Sequence, residues 1–309
     1  MFKNNYVLIG RFQPLHNGHL NIMRRALSNS ACDRLIILVG SANIARDVRN
    51  PFTFEERKDL IESALEDDLQ NAREQNRNIT LHILPIEDSI YNNAKWLKDV
   101  HSAVNSVSDK HDKFYLTGYV KGDTQYLKYF PQYESAFVNE GALITSINAT
   151  AIREAFFTQG DKIIGDYYDR VPAETVDFLQ KFRKHHNGET YANLVKEFNY
   201  LISYKQKFAN LPYNLPLVTG DAIVTCCGHV LLVERKKYGA GQFAMPGGFF
   251  KEDDQDQVQT AIRELIEETT INVDPNILRG YVKRVDDFCD INRSLRGRIL
   301  TKAVLIQLP

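Results

Sequence analysis

The chain is poor in cysteine, in tryptophan and in net charge. Four cysteines occur in 309 residues, Cys32, Cys226, Cys227 and Cys289, and no two are spaced as Cys-x-x-Cys. The pattern of a zinc ribbon or a dithiol redox centre is therefore absent. The cysteines read as reduced thiols, and a cytoplasmic location is expected. A formal net charge of −1 excludes a global attraction to nucleic acid or to an anionic membrane, so any anionic ligand has to be caught locally. No apolar run approaches a membrane span, and the opening MFKNNYVLIGRF lacks the apolar stretch of a signal peptide. What is present is the balance of a soluble globular protein, 43% hydrophobic and 25% charged, in a chain long enough for two domains.

The most informative stretch is Gly10 to Leu20, GRFQPLHNGHL. Tyr6 to Ile9 reads as a buried strand, and Leu20, Met23, Ala26 and Leu27 recur at helical spacing beyond it. The spacing predicts a helix starting near His19. His16 and His19 then lie at a strand-to-helix turn, where free backbone N–H groups and the positive end of the helix dipole favour phosphate. Gly18 permits close backbone approach, and Arg11 adds a cation.

Further strands are predicted at Arg34–Val39, Ile79–Ile83, Phe114–Thr117 and Ala136–Asn139. Thr53 and Glu56 form a capping box for a long amphipathic helix, preceded by a loop with Arg46 and Arg49. A helix over Ala94–Val104 contains Trp96, the only tryptophan. After Phe114–Thr117 comes a turn, Gly118 to Asp123, at the end of a strand where ligands sit in open α/β sheets. There Lys121 is placed to hold phosphate and Asp123 to accept from ribose or adenine. Thr150 opens a further helix, with Arg153 able to fork onto phosphate oxygens. Val171–Arg183 is an amphipathic helix, Lys184–Glu189 reads as a domain boundary, and a helix over Tyr191–Phe208 follows.

From Leu217 the pattern changes to short β-like runs, Ala222–Cys226 and Val230–Glu234, and then to Gly247 and Gly248, an acidic loop and the helix QTAIRELIEETT. Glu264, Glu267 and Glu268 crowd one face of that helix at i, i+3 and i+4, with Arg263 able to reach Glu267. Like charges so placed repel, and a hard cation such as Mg²⁺ or Mn²⁺ would relieve them. A solvated acidic face is the alternative. A last strand is predicted at Ala303–Leu308.

GRFQPLHNGH resembles the HxGH signature of the nucleotidylyltransferase superfamily, in the form used by archaeal-type nicotinamide mononucleotide adenylyltransferases. The stretch Ser146–Arg153 resembles that family's second signature, (S/T)xTxIR, with Asn148 standing where the pattern has Ser or Thr. The RELIEE core resembles a Nudix box, although the spacing from Gly248 to Arg263 is one residue too long and Asp254 or Glu252 has to stand for the loop glutamate. The segment from Arg293 through Arg296 and Arg298 to Thr301 resembles the SLRGRxxT segment of ADP-ribose-hydrolysing Nudix domains.

The resemblance implies an α/β protein with a Rossmann-like, doubly wound parallel sheet in residues 1–186, a helical linker over 187–216 and an α/β/α-sandwich Nudix domain over 217–309. It also implies a further strand and helix after Pro309, so the last domain is expected to be C-terminally incomplete. Implied at the first site are ATP, nicotinamide mononucleotide and NAD. His16, His19 and Arg153 are the implied catalytic residues there. Gly10, Arg11, Phe12, Gln13, Arg57, Gly118, Lys121, Asp123, Asn148 and Thr150 are the implied substrate contacts. Trp96 would stack on the nicotinamide ring, beside Asp88, Asn92 or Asn93. Implied at the second site are ADP-ribose, with Arg296 and Arg298 as contacts, Glu267 and Glu268 as catalytic residues, and a divalent metal on Glu264, Glu267 and Glu268. A homo-oligomer is expected. Two other readings stay open: a nucleotidylyltransferase with a different acceptor, and a Nudix domain that senses ADP-ribose without cleaving it.

Overall fold

The computed structural model describes residues 2–119, 129–138, 148–160, 167, 169–236 and 241–309. The chain divides into two compact units, Met1–Lys196 and Glu197–Pro309.

In the first unit, β1 (Asn4–Gly10), β2 (Arg34–Val39), β3 (Thr80–Pro85), β4 (Lys113–Tyr119) and β5 (Glu134–Val138) form one sheet in the order β3-β2-β1-β4-β5. Every pairing is parallel. A parallel sheet has to be covered on both faces, and the alternation of β2 shows how that is done. Leu35, Ile37 and Val39 join a core with Leu20 and Met23 of α1 (Asn17–Ser28) and Ile61 and Leu65 of α2 (Phe54–Glu74). Ile36 and Leu38 join a second core with Val100 and Val104 of α3 (Asn93–Asn105). Helices α4 (Ala149–Gln159) and α5 (Ala173–Lys184) follow.

The predicted boundary at Lys184–Glu189 is a tight turn, with His186, Asn187 and Gly188 at positive φ, that leads straight into α6 (Glu189–Gln206). The helix fills residues 189–206 of the stretch expected to be a linker, and the division between the two units falls inside it. Its first turns belong to the first unit, where Tyr191 packs on Phe156 and donates to its carbonyl at 2.6 Å.

In the second unit, the core sheet runs β10 (Gly247–Phe249), β6 (Leu217–Cys226), β12 (Ile299–Gln307), β11 (Val282–Phe288), with β7 (His229–Val230) on β6; β8 (Val233–Glu234) and β9 (Phe243–Ala244) pair separately. β6 and β12 are parallel, while β10 and β11 run antiparallel to their neighbours. Ala222 and Val224 face α7 (Gln257–Glu268) and α8 (Pro275–Gly280), burying Ala261, Ile262, Leu265 and Leu278 with them. Among the described residues no helix is long and apolar enough to cross a membrane.

Candidate active sites

The first site is built at the C-terminal ends of β1 and β2. Gly10 ends β1, and a Cβ there would lie 2.7 Å from the ring of Phe12. Phe12 sits at φ 51° and is buried, so its ring folds back into space that only glycine leaves. Gln13 is also buried; its amide donates to Phe52 O at 2.8 Å and accepts from Phe52 N at 3.0 Å. This two-point clamp ties the loop to the segment that precedes α2.

His16 turns out to be the N-cap of α1. Its backbone is extended, and Nδ1 accepts from the His19 N–H at 3.4 Å. The helix therefore begins at Asn17, earlier than the apolar spacing predicts, because an aromatic cap is invisible to that spacing. A neutral His16 that accepts at Nδ1 carries its proton on Nε2. The two imidazoles stack at 3.6 Å between centroids, and the Phe12 ring meets His19 edge-on at 4.9 Å. Both expected histidines are brought together at a helix N-terminus.

The second signature is joined to the first. Asn148 caps α4 by accepting from Thr150 N at 2.8 Å, so an Asn at this position keeps the capping function of Ser or Thr. Thr150 lies inside the first turn rather than at its cap. Arg153 is buried and donates to Gln13 O at 2.6 Å and Thr150 Oγ1 at 3.1 Å. Two of its donors thus brace the His loop, out of the five that a guanidinium carries.

At Arg57 the expected substrate contact is corrected. It is 1% exposed, and its guanidinium donates to the carbonyls of Arg11 and Gly40 at 2.7 Å each, Thr53 at 3.0 Å and Ser41 at 3.2 Å. It fastens the ends of β1 and β2 instead of facing substrate. Burial lowers Arg57 and Arg153 to about 10, so both stay charged at neutral pH. Arg11 is lowered too, by burial and then by the nearby Arg49. Arg11 and Arg49 also act on Arg153. The loop is thus a convergence of guanidiniums, offset by Asp47 and Asp88. The sequence located Arg49 without giving it a role; only folding brings it beside Arg11.

Other expected contacts fall in mixed places. Trp96 is half-buried and meets Phe130 at 6.1 Å against the α3 core. Asp88 accepts from Ser41 Oγ at 2.7 Å, Asn92 caps α3 through Lys95 N, and Asn93 is exposed in its first turn. Gly118 is buried in β4. Lys121 and Asp123, with Ser146 and Ile147, lie outside the described residues.

In the second unit Arg263 organises the acidic helix. It donates to Asp254 through Nε at 3.0 Å and Nη2 at 2.9 Å, to Phe249 O at 3.0 Å, to Glu267 at 3.3 Å and to Glu264. Asp254 is buried and accepts also from Lys251 N and Thr260 Oγ1 at 3.0 Å each, while Glu252 is exposed. Asp254 therefore takes the place of the loop glutamate. Its bonds to Arg263 hold its carboxyl well below the usual range.

The three helix carboxylates do not meet at one point. Glu264 lies against Gly248, where a Cβ would come within 2.3 Å of its carboxyl carbon. Glu267 is taken up by Lys251 and Arg263. Glu268 accepts from Gly247 N at 3.1 Å. Among the described residues no group of three or more His, Cys, Asp or Glu side chains converges as a metal cage. The donor chemistry still fits a hard cation: burial raises Glu268, and Glu264 and Asp221 raise it further, a repulsion between oxygen donors that a divalent ion would relieve. Arg296 lies over the Phe249 ring at 5.0 Å, and Arg298 is exposed.

Residues 7–138 match the cytidylyltransferase-like family and residues 217–298 the NUDIX domain. The nicotinamide/nicotinic acid mononucleotide adenylyltransferase of Acinetobacter baylyi is 34% identical over 200 residues, 64% of this chain and 95% of that protein. The crystal structure of a bifunctional NMN adenylyltransferase/ADP ribose pyrophosphatase from Francisella tularensis, complexed with AMP and a manganese ion, is 32% identical. It superposes with a TM-score of 0.84 over 100% of this chain and 85% of that one. The chain belongs to the bifunctional adenylyltransferase–Nudix family. The nicotinamide-nucleotide adenylyltransferase of Thermoplasma acidophilum is 40% identical over 108 residues, 35% of this chain and 52% of that protein. The match thus spans about half of the archaeal enzyme, whereas it spans nearly all of the Acinetobacter one. Membership of this family makes both units enzyme domains.

Proposed function

We propose that the first unit transfers the adenylyl group of ATP to nicotinamide mononucleotide, forming NAD and releasing pyrophosphate, and that the second hydrolyses ADP-ribose to AMP and ribose 5-phosphate. The observation that carries the reading is the His16–His19 stack at the start of α1, held by a loop to which α4 is bonded through Arg153. In the first reaction a phosphate oxygen of the mononucleotide attacks the α-phosphorus of ATP and the bond to the departing pyrophosphate breaks. No protein nucleophile is needed; the chain supplies position and positive charge. The His16 Nε2–H, His19 and the α1 N-terminus face the charge that develops on the phosphates, and Arg11 and Arg49 hold the polyphosphate in place.

In the second unit the residues suited to a divalent ion are Glu264 and Glu268, which reach the Gly247–Gly248 backbone from α7. Mg²⁺ or Mn²⁺ bound there would neutralise the diphosphate and acidify a water. Arg263 fixes Glu264, and Lys251 holds Glu267 out to solvent.

The test is direct. Protein incubated with nicotinamide mononucleotide, ATP and Mg²⁺ should form NAD and pyrophosphate in equal amounts, and with ADP-ribose and Mn²⁺ or Mg²⁺ should release AMP. A preference for another acceptor over nicotinamide mononucleotide would overturn the first assignment. Tight ADP-ribose binding without release of AMP would make the second unit a sensor.

A further inference from the structure

The face of the second sheet that points away from α7 carries a set of polar contacts that the helix carboxylates do not explain. Residues 220, 222 and 224 of β6 point at α7; a Cβ on Gly220 would strike the α7 backbone. Thr219 and Asp221 therefore point the other way. Their strand partners are Phe249 and Gly247 on β10, and Thr301 lies beside Thr219 on β12. Across this face runs the connection between β11 and β12, residues 289–298, which carries Arg293 and Arg296.

Each arginine is seated on one strand residue. Arg293 donates to Asp221 Oδ2 across 72 positions, and Arg296 lies over Phe249 at 5.0 Å. The same Asp221 oxygen accepts from Thr301 Oγ1 at 3.1 Å, and Thr301 Oγ1 accepts from the buried Thr219 hydroxyl at 2.6 Å. A relay from the sheet thus orients the carboxylate. Its other oxygen occupies the space beside Gly247, where a Cβ would come within 2.3 Å of it. Gly247 in turn donates its N–H to Glu268. Asp221 and Glu268, one of the carboxylates assigned above to hydrolysis, therefore both lie against Gly247, from different sides of its backbone.

We infer that Asp221 is a positioning residue for ADP-ribose hydrolysis, holding Arg293 over this sheet face as a guanidinium clamp for the substrate diphosphate. The inference rests on the hydrolase reading of the second unit. The pair is 31% and 23% exposed in its side chains, so its mutual attraction is screened and its main effect is geometric. A guanidinium has five N–H donors, so one directed at Asp221 leaves others for phosphate oxygens, and a fixed fork binds a planar or tetrahedral anion with little ordering cost. Arg296 on Phe249 sets a second cation on the same loop, over an aromatic ring of the same face.

A double-mutant cycle tests this. Asp221→Ala and Arg293→Ala should each raise the KM for ADP-ribose about tenfold with kcat within about twofold, and the double variant should be no worse than Arg293→Ala alone. NAD synthesis by the same preparations should be unchanged, which reports an intact first unit. Asp221→Asn, which keeps an acceptor oxygen and the side-chain shape, should raise KM only about threefold and serves if the alanine variant folds poorly. Unchanged or lowered KM in the Asp221 variants, or effects that multiply to about a hundredfold in the double variant, would overturn the inference. Should the wild-type protein bind ADP-ribose without cleaving it, the hydrolase reading falls, and the same cycle read as ADP-ribose Kd by titration calorimetry still decides the role of Asp221.

Discussion

In the first unit the buried guanidiniums of Arg57 and Arg153 donate to backbone carbonyls and one hydroxyl, whereas in the second unit Arg263 donates to Asp254, Glu264 and Glu267. Carbonyl dipoles satisfy the donors of a guanidinium without cancelling its charge. The His loop is therefore rigid and still positive, which suits a site that has to receive a polyphosphate. Around α7 the charges are cancelled pair by pair, and only Glu268, which takes a backbone N–H from Gly247, has no arginine or lysine as a direct partner in the contacts described above. Its carboxyl is raised by burial and by its acidic neighbours. The positive site is preorganised by the chain alone; on the function proposed above, the negative one would be completed by a cation.

The comparison is broken most severely at Glu268. Glu268→Gln removes a charge and keeps the shape, so it should lower ADP-ribose hydrolysis about a thousandfold while NAD synthesis stays intact. Glu267→Gln should cost far less, because Lys251 and Arg263 already neutralise that carboxylate. Equal losses in the two variants, measured as initial rates at saturating metal, would show that the pairing seen around Glu267 is exchanged on binding.

Next in size is the His stack. His16→Ala removes both the α1 cap and a donor, and it should lower kcat for NAD synthesis about a hundredfold with hydrolysis unaffected. His16→Asn restores the cap alone. If Asn recovered most of the rate, capping rather than charge stabilisation would be the main role of His16.

The two arginine arrangements should also differ in how stability depends on them. Arg57→Met leaves the carbonyls of Arg11, Gly40 and Ser41 buried without a donor, at a cost of about 3 kcal/mol or more, read as a lower melting temperature of the first unit. Asp254→Asn breaks the buried pair with Arg263 at a cost of about 3 kcal/mol. The two costs separate on acidification. The Asp254 pKa is depressed in the folded state, so its stabilisation is complete above the unfolded value of about 3.9 and is lost as pH falls through the folded value. The gap between wild type and Asp254→Asn should therefore shrink below about pH 3.9, whereas the Arg57→Met gap has no carboxylate of its own to lose.

Local signals were the ones that could be read from sequence. The capping box of Thr53 and Glu56 is present in both directions, β2 lies over Arg34–Val39 as predicted, and α7 covers the RELIEE core. What escaped is non-local or weakly patterned. Partners of Arg57, Gln13 and Arg153 lie up to 140 positions away, so nothing near them in sequence reveals these long-range bonds. β11 reads VKRVDDF and is exposed along most of its length, so it carries no apolar alternation to detect. Asp254 and Glu252 were indistinguishable by spacing because of the extra residue before Arg263; burial against Arg263 decides between them.

The smallest expected effect is at Trp96, where a local signal and a long-range role compete. The ring packs edge-on against Phe130 beside the α3 core, yet it remains only half-buried. A wholly structural tryptophan would be expected to lie deeper, and a pure ligand platform to have less of the core around it. Trp96→Ala should raise the KM for nicotinamide mononucleotide about fivefold and leave that for ATP alone, the scale of a cation–π contact of about 1 kcal/mol. Trp96→Phe keeps a smaller aromatic face and should recover much of the difference, whereas Trp96→Leu keeps an apolar side chain without an aromatic face and should not. A lowered melting temperature with both KM values unchanged would assign Trp96 wholly to the α3 core. The first unit would then bind its acceptor through the loop cations, without an aromatic contact from α3.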